Sequence, residues 1–159
     1  MRANRHPSFQ LSFVSGEEET PVPEVSEVLG RVRSAAPWDE VSISPGEDDF
    51  PRVHISWHGS AGFSFHCFED DRSLGRFLVN ARDFSLPSVE INLGGQALEL
   101  WPCELFVSGA LASAALEYFL DHAGLNPSLS WTGTVDFPRQ TIWEGHEERE
   151  AWERTHRTP

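Results

Sequence analysis

Two alternating runs, Val89-Glu90-Ile91-Asn92-Leu93 and Gln96-Ala97-Leu98-Glu99-Leu100-Trp101, meet at Gly94-Gly95. Alternation with period two fits a strand that buries one face. A Gly-Gly step supplies the positive φ that a tight two-residue turn requires. With that loop Leu93 falls opposite Gln96, Ile91 opposite Leu98 and Val89 opposite Leu100, so the apolar side chains share one face. A one-residue slip would turn the apolar residues of one arm to the other face, so this pairing constrains the fold strongly. It also sets Glu90 opposite Glu99. Like charges in direct cross-strand contact are unfavourable, so a sheet that presents such a pair reads as a surface with a use.

A second hairpin lies upstream. Val53, Ile55 and Trp57 alternate with His54, Ser56 and His58, and Phe63, Phe65 and Cys67 alternate with Ser64 and His66. The apolar residues of both arms are odd-numbered, so only an odd-length loop brings them to one face. Three residues around Gly59 satisfy that, either His58-Gly59-Ser60 or Gly59-Ser60-Ala61. Phe9, Leu11 and Phe13 mark a first strand, Val41 and Ile43 a brief one, and Gly75 to Ala81 another with Phe77 and Val79 on one side. Helical spacing of Val25, Val28, Leu29 and Val32 predicts a short helix from about Pro23 to Ser34. Ala112, Ala115, Leu116, Phe119 and Ala123 form the buried stripe of a longer helix from about Ser108 to Ala123. Ser108 suits its N-cap and Gly124 the left-handed position after its end, with Leu125 able to touch Leu120.

The expected fold is α+β, with a single antiparallel sheet of about five to seven strands and helices packed on one face. A chain of 159 residues fits one domain by size. Residues 1–131 are expected to form it, with 132–159 an acidic, Trp-bearing extension in which 142–155 forms a short helix or stays mobile. Nothing at the N-terminus reads as a signal core and no apolar run approaches the ~18 residues of a membrane helix, so a cytoplasmic protein is expected.

Composition narrows the chemistry. All twelve basic residues are Arg, which excludes lysine Schiff-base and P-loop chemistry. Twenty-five carboxylates give a net charge of −13. Residues 17–50 carry ten carboxylates against Arg31 and Arg33, and from Asp83 to Asp136 there are seven with no cationic Lys or Arg. Such a surface repels nucleic acid and anionic membranes, and its long-range attraction is for a basic partner. Cys67 and Cys103 are too few and too far apart for a disulfide framework and read as reduced packing residues.

No catalytic or metal constellation is complete. His54, His58 and His66 sit on the polar face of their hairpin, but no Cys-x-x-Cys or His-Glu-x-x-His joins them, so exposed sheet histidines are the simpler reading and no metal or cofactor is expected. Glu90 and Glu99 converge on an open face rather than in a pocket that would separate their pKa values. Gly-x-Ser-x-Gly is absent, and so is the His-x-Glu with Pro-Cys-x-x-Cys of zinc deaminases; no enzyme is expected. Of six tryptophans, Trp57, Trp101 and Trp131 read as core, while Trp38, Trp143 and Trp152 lie in polar context. For these last three, partner contact and local packing are both open.

The order from Val89 onward resembles a known pattern. A strand pair, the Trp101-Pro102 step, a helix with Ala112, Ala115 and Phe119, and then Gly124, Pro127 and Trp131 are similar to the C-terminal half of a bacterial immunity-protein family. Its members are encoded beside polymorphic toxins, many of them nucleic-acid deaminases. The resemblance implies an inhibitor that occludes the active site or substrate groove of a cognate basic toxin domain, with the free protein a monomer. An adaptor or chaperone for a secreted effector is the alternative. The residues expected to meet the partner are Glu47, Asp48, Asp49, Glu69, Asp70, Asp71, Glu90 and Glu99 by charge, and Trp143 and Trp152 as apolar anchors.

Overall fold

In the computed structural model the described residues are 9–13, 15–16, 18–36, 39–46, 50–71, 75–80, 88–93 and 97–133; for residues 88, 90–93 and 97–100 the description is of the backbone. The chain runs β1 (Gln10–Phe13), β2 (Thr20–Pro21), α1 (Val25–Ser34), β3 (Val41–Ser44), β4 (Arg52–Trp57), β5 (Phe63–Phe68), β6 (Arg76–Leu78), β7 (Ser88–Leu93), β8 (Ala97–Pro102), β9 (Phe106–Val107), α2 (Gly109–His122) and β10 (Trp131–Gly133). Short 3-10 turns cover Gly59–Ala61 and Cys103–Leu105.

Eight strands form one antiparallel sheet in the order β10-β6-β5-β4-β3-β1-β2, with β9 also on β5, and β7 and β8 form a separate two-stranded sheet. The α+β class and the helices on one face stand as read from the sequence. The strand count is higher, and the Gly94-Gly95 hairpin is not part of the main sheet.

The centre is the β4–β5 pair, in which Val53 lies opposite Cys67, Ile55 opposite Phe65 and Trp57 opposite Phe63. The loop between paired ends is odd, as the alternation demands, but spans His58 to Gly62, five residues rather than three. Its last residue explains part of the extra length. Gly62 sits at φ 118°, and a Cβ there would lie 2.5 Å from the Val107 carbonyl oxygen, so this corner lets β9 close onto β5.

On the helix side, Val28, Leu29 and Val32 of α1 and Ala112, Ala115, Leu116 and Phe119 of α2 bury against Leu11, Val41, Ile43, Val53, Ile55, Phe63 and Phe65. The Phe119 ring lies 4.9 Å from that of Phe9, ring centre to ring centre. The Ser108 hydroxyl accepts from the Leu111 N–H at 3.3 Å, the N-cap read from the sequence. At the other end the left-handed residue is Ala123, at φ 54°, and not Gly124, because the Ala123 N–H already closes the last turn onto the Phe119 carbonyl. Trp131 donates its indole N–H to the Asn126 carbonyl at 2.9 Å and packs edge-on against Phe65. The strand it opens runs on to Gly133, past the expected boundary at Trp131. The helix expected at 142–155 lies outside the described residues.

A second, smaller core sits on the opposite face, made of Phe77, Val79, Leu105 and Phe106 with Val89, Trp101 and Ala61 against it. It accounts for the one clear error of register. Leu93 pairs with Ala97, Ile91 with Glu99, Glu90 with Leu100 and Val89 with Trp101, so three residues separate the paired ends and Glu90 and Glu99 are not partners. Trp101, whose ring meets Phe77 edge-on at 5.0 Å, is thereby in phase with Val89, and both reach the second core. The shift also removes the like-charge opposition.

Two substitutions test this packing. Phe119→Ala should lower unfolding free energy by ~3–5 kcal/mol in denaturant titration, the cost of deleting a buried ring. Gly62→Ala should cost ~1–3 kcal/mol, because an L side chain there combines an unfavourable φ with a backbone clash. A wild-type midpoint in either variant would contradict the corresponding contact.

Candidate functional site

Two of the three hairpin histidines come together. His54 and His66 are direct cross-strand partners on the face away from the helices. The His66 ring stacks on Phe77 at 3.7 Å and leans on Phe68 at 4.1 Å, and His54 meets Phe68 edge-on at 5.4 Å. Gly75 leaves room for this stack, since a Cβ on it would fall 2.2 Å from His66 Nε2. His54 Nδ1 lies 3.2 Å from Glu40 Oε1, just before β3. Both imidazoles are thus engaged with aromatic rings, and that of His54 also with the Glu40 carboxylate. Among the described residues no three His, Cys, Asp or Glu side chains converge as metal ligands.

His58 follows β4, with its Nε2 2.8 Å from the Ser56 hydroxyl and its ring edge-on to Phe106 at 5.1 Å. Burial lowers its pKa from the ordinary 6.5, against a weaker upward pull from Glu40. Burial, helped by the charge of Glu69, pushes the Cys67 thiol up to about 12, which keeps it protonated and unreactive at neutral pH.

The expected partner-binding residues divide into three groups. Glu69, Asp70 and Asp71 are exposed in the turn that follows β5. Glu69 lies 4.0 Å from Arg76, in an ion pair with both side chains more than half exposed, which adds little to stability. Glu90 and Glu99 lie in β7 and β8 but are not cross-strand partners, so the register does not give the pairing expected of them. Glu47, Asp48, Asp49, Trp143 and Trp152 lie outside the described residues. The chain leaves β3 at Ser44 and re-enters at Arg52, and the pairings of Ile43 with Val53 and of Arg52 with Phe68 put both points at the end of the sheet from which Glu69–Asp71 project.

One contributor to this end was overlooked in the sequence. Phe68 is even-numbered in a strand whose apolar residues are odd-numbered, so it falls on the face away from the helices. An apolar residue out of phase was the available signal. No described helix is long and apolar enough to cross a membrane. Comparison with protein-family models, with curated proteins and with solved structures gave no match.

The lowered pKa of His58 has a consequence for acid stability. A folded-state value below the unfolded one means that the unfolded chain binds the proton more readily. Stability therefore begins to fall as pH drops through 6.5 and goes on falling until the folded-state pKa is passed. Replacing His58 with Gln should flatten the midpoint of thermal unfolding between pH 7 and about pH 5.5. An unchanged slope in that variant would place the titrating group elsewhere.

Proposed function

We propose that this chain is an immunity protein that binds a cognate basic toxin and blocks its active site or substrate groove. A nucleic-acid-targeting toxin, in the first instance a deaminase, is the fitting target, met in the cytoplasm where its substrate is. The observation that carries the reading is the exposed Glu69-Asp70-Asp71 turn held at the end of a central strand, in a chain of net charge −13. Carboxylates presented on a rigid strand end can take the place of a nucleic-acid backbone on a basic surface, which favours fast association and specificity over raw affinity. The order of elements supports it too. Hairpin, Trp101-Pro102, α2 and Trp131 follow one another as in the family that the chain resembles.

The test is protection together with kinetics, run against basic nucleic-acid-targeting toxin domains, a deaminase first. The wild-type chain should rescue growth and abolish toxin activity in vitro. Reversing Glu69, Asp70 and Asp71 to Arg should slow association about tenfold or more at low salt, with the loss shrinking once exposed charges are screened beyond ~8–10 Å. Binding that leaves toxin activity intact would favour an adaptor instead. No binding at all would remove the reading.

A further inference from the structure

Every described phenylalanine packs into one of the two cores except Phe50 and Phe68, and both are half-buried. They belong to the same end of the sheet, since Arg52, two residues after Phe50, is the cross-strand partner of Phe68. Arg52 lays its guanidinium 5.5 Å from the centre of the Phe50 ring, while Phe68 meets His54 and His66. Arg52 Nε and His54 Nε2 are shielded from solvent with no hydrogen-bond partner among the described residues. Glu69, Asp70 and Asp71 follow directly on Phe68 and are exposed.

A lone exposed apolar side chain needs no explanation. Two at one strand end, with an arginine held on a ring, incompletely satisfied polar atoms and a rim of carboxylates, have the anatomy of a protein interface. Interface centres are rich in aromatic residues and arginine, and their charged groups lie at the edge.

We propose that Phe50, Arg52 and Phe68, rimmed by Glu69–Asp71, form the docking surface for a basic protein partner. This rests on the partner-binding reading above and adds an apolar anchor to it. Charge selects the class of occupant, because a rim of carboxylates on a chain of net charge −13 repels nucleic acid and anionic lipid and attracts an arginine-bearing loop. Carboxylates then govern encounter, and the rings govern how long the complex lasts.

The experiment is an NMR titration of the isotope-labelled full chain with an arginine-rich synthetic peptide. Amide shifts should centre on residues 50–54 and 66–71, and Phe68→Ala should raise the dissociation constant about tenfold or more. Asp71→Asn, at an exposed side chain, should weaken binding as well, while Glu117→Gln on the outer side of α2 should leave it unchanged. Phe68 belongs to neither core, so the variant's spectrum should retain the dispersion of the folded chain. Shifts centred on α1 or α2, or wild-type affinity in Phe68→Ala, would overturn the proposal. Toxin protection is read separately. Protection with the peptide mapping elsewhere removes this surface and leaves the immunity reading. Mapping here without protection does the reverse.

Discussion

The antiparallel contact between β4 and β5 is the constraint on which the rest depends. Its register, with Val53 opposite Cys67 and Ile55 opposite Phe65, sends one row of side chains under α1 and α2 and the other toward Trp101 and Phe106. A slip of one residue would set Ile55 opposite His66 and His54 opposite Cys67, so one strand would turn its histidine into the helix-side core and its apolar row away from it. β5 is also where neighbours divide, because β9 pairs with its first two residues and β6 with His66 and Cys67. Both cores, and the turn carrying Glu69–Asp71, take their places from this one pairing.

The two faces have different work. Helices close the larger core, while the β7–β8 hairpin and the Cys103–Leu105 turn close the smaller one. Between the smaller core and the rim runs a line of rings, Trp101 to Phe77 to His66 to Phe68 to His54. It passes through the buried Phe77 and ends on half-buried rings, of which Phe68 leads directly into Glu69–Asp71. The binding surface proposed for this chain is therefore the solvent-side end of a packed structure, and its side chains are positioned before a partner arrives. Preorganisation of that kind lowers the entropy cost of association.

What was legible in the sequence follows from which forces are local. The odd-numbered alternation of Val53 to Cys67 gave the parity of the central hairpin, and the spacings of Val25 to Val32 and Ala112 to Phe119 located both helices, because a single buried face leaves its period in the chain. Loop length around Gly59 was not legible, since the Gly62 corner depends on Val107, far along the chain. The register at Gly94-Gly95 was misread for a similar reason: the turn preference is local, but Trp101 is aligned by Phe77, Leu105 and Phe106. With that register the facing Glu90/Glu99 pair disappears. The exposed Glu69–Asp71 turn was visible as a run of charge, whereas Phe50 and Phe68 gain meaning only once strand pairing puts them together.

Hydrogen exchange on the full chain, free and saturated with the arginine-rich peptide, tests the central claim most directly. If a basic partner docks on the β4–β5 end, amides from 50 to 54 and from 66 to 71 should gain protection, and those on the outer sides of α1 and α2 should exchange as in the free protein. Protection confined to the helices, with the 66–71 turn exchanging as before, would contradict the account.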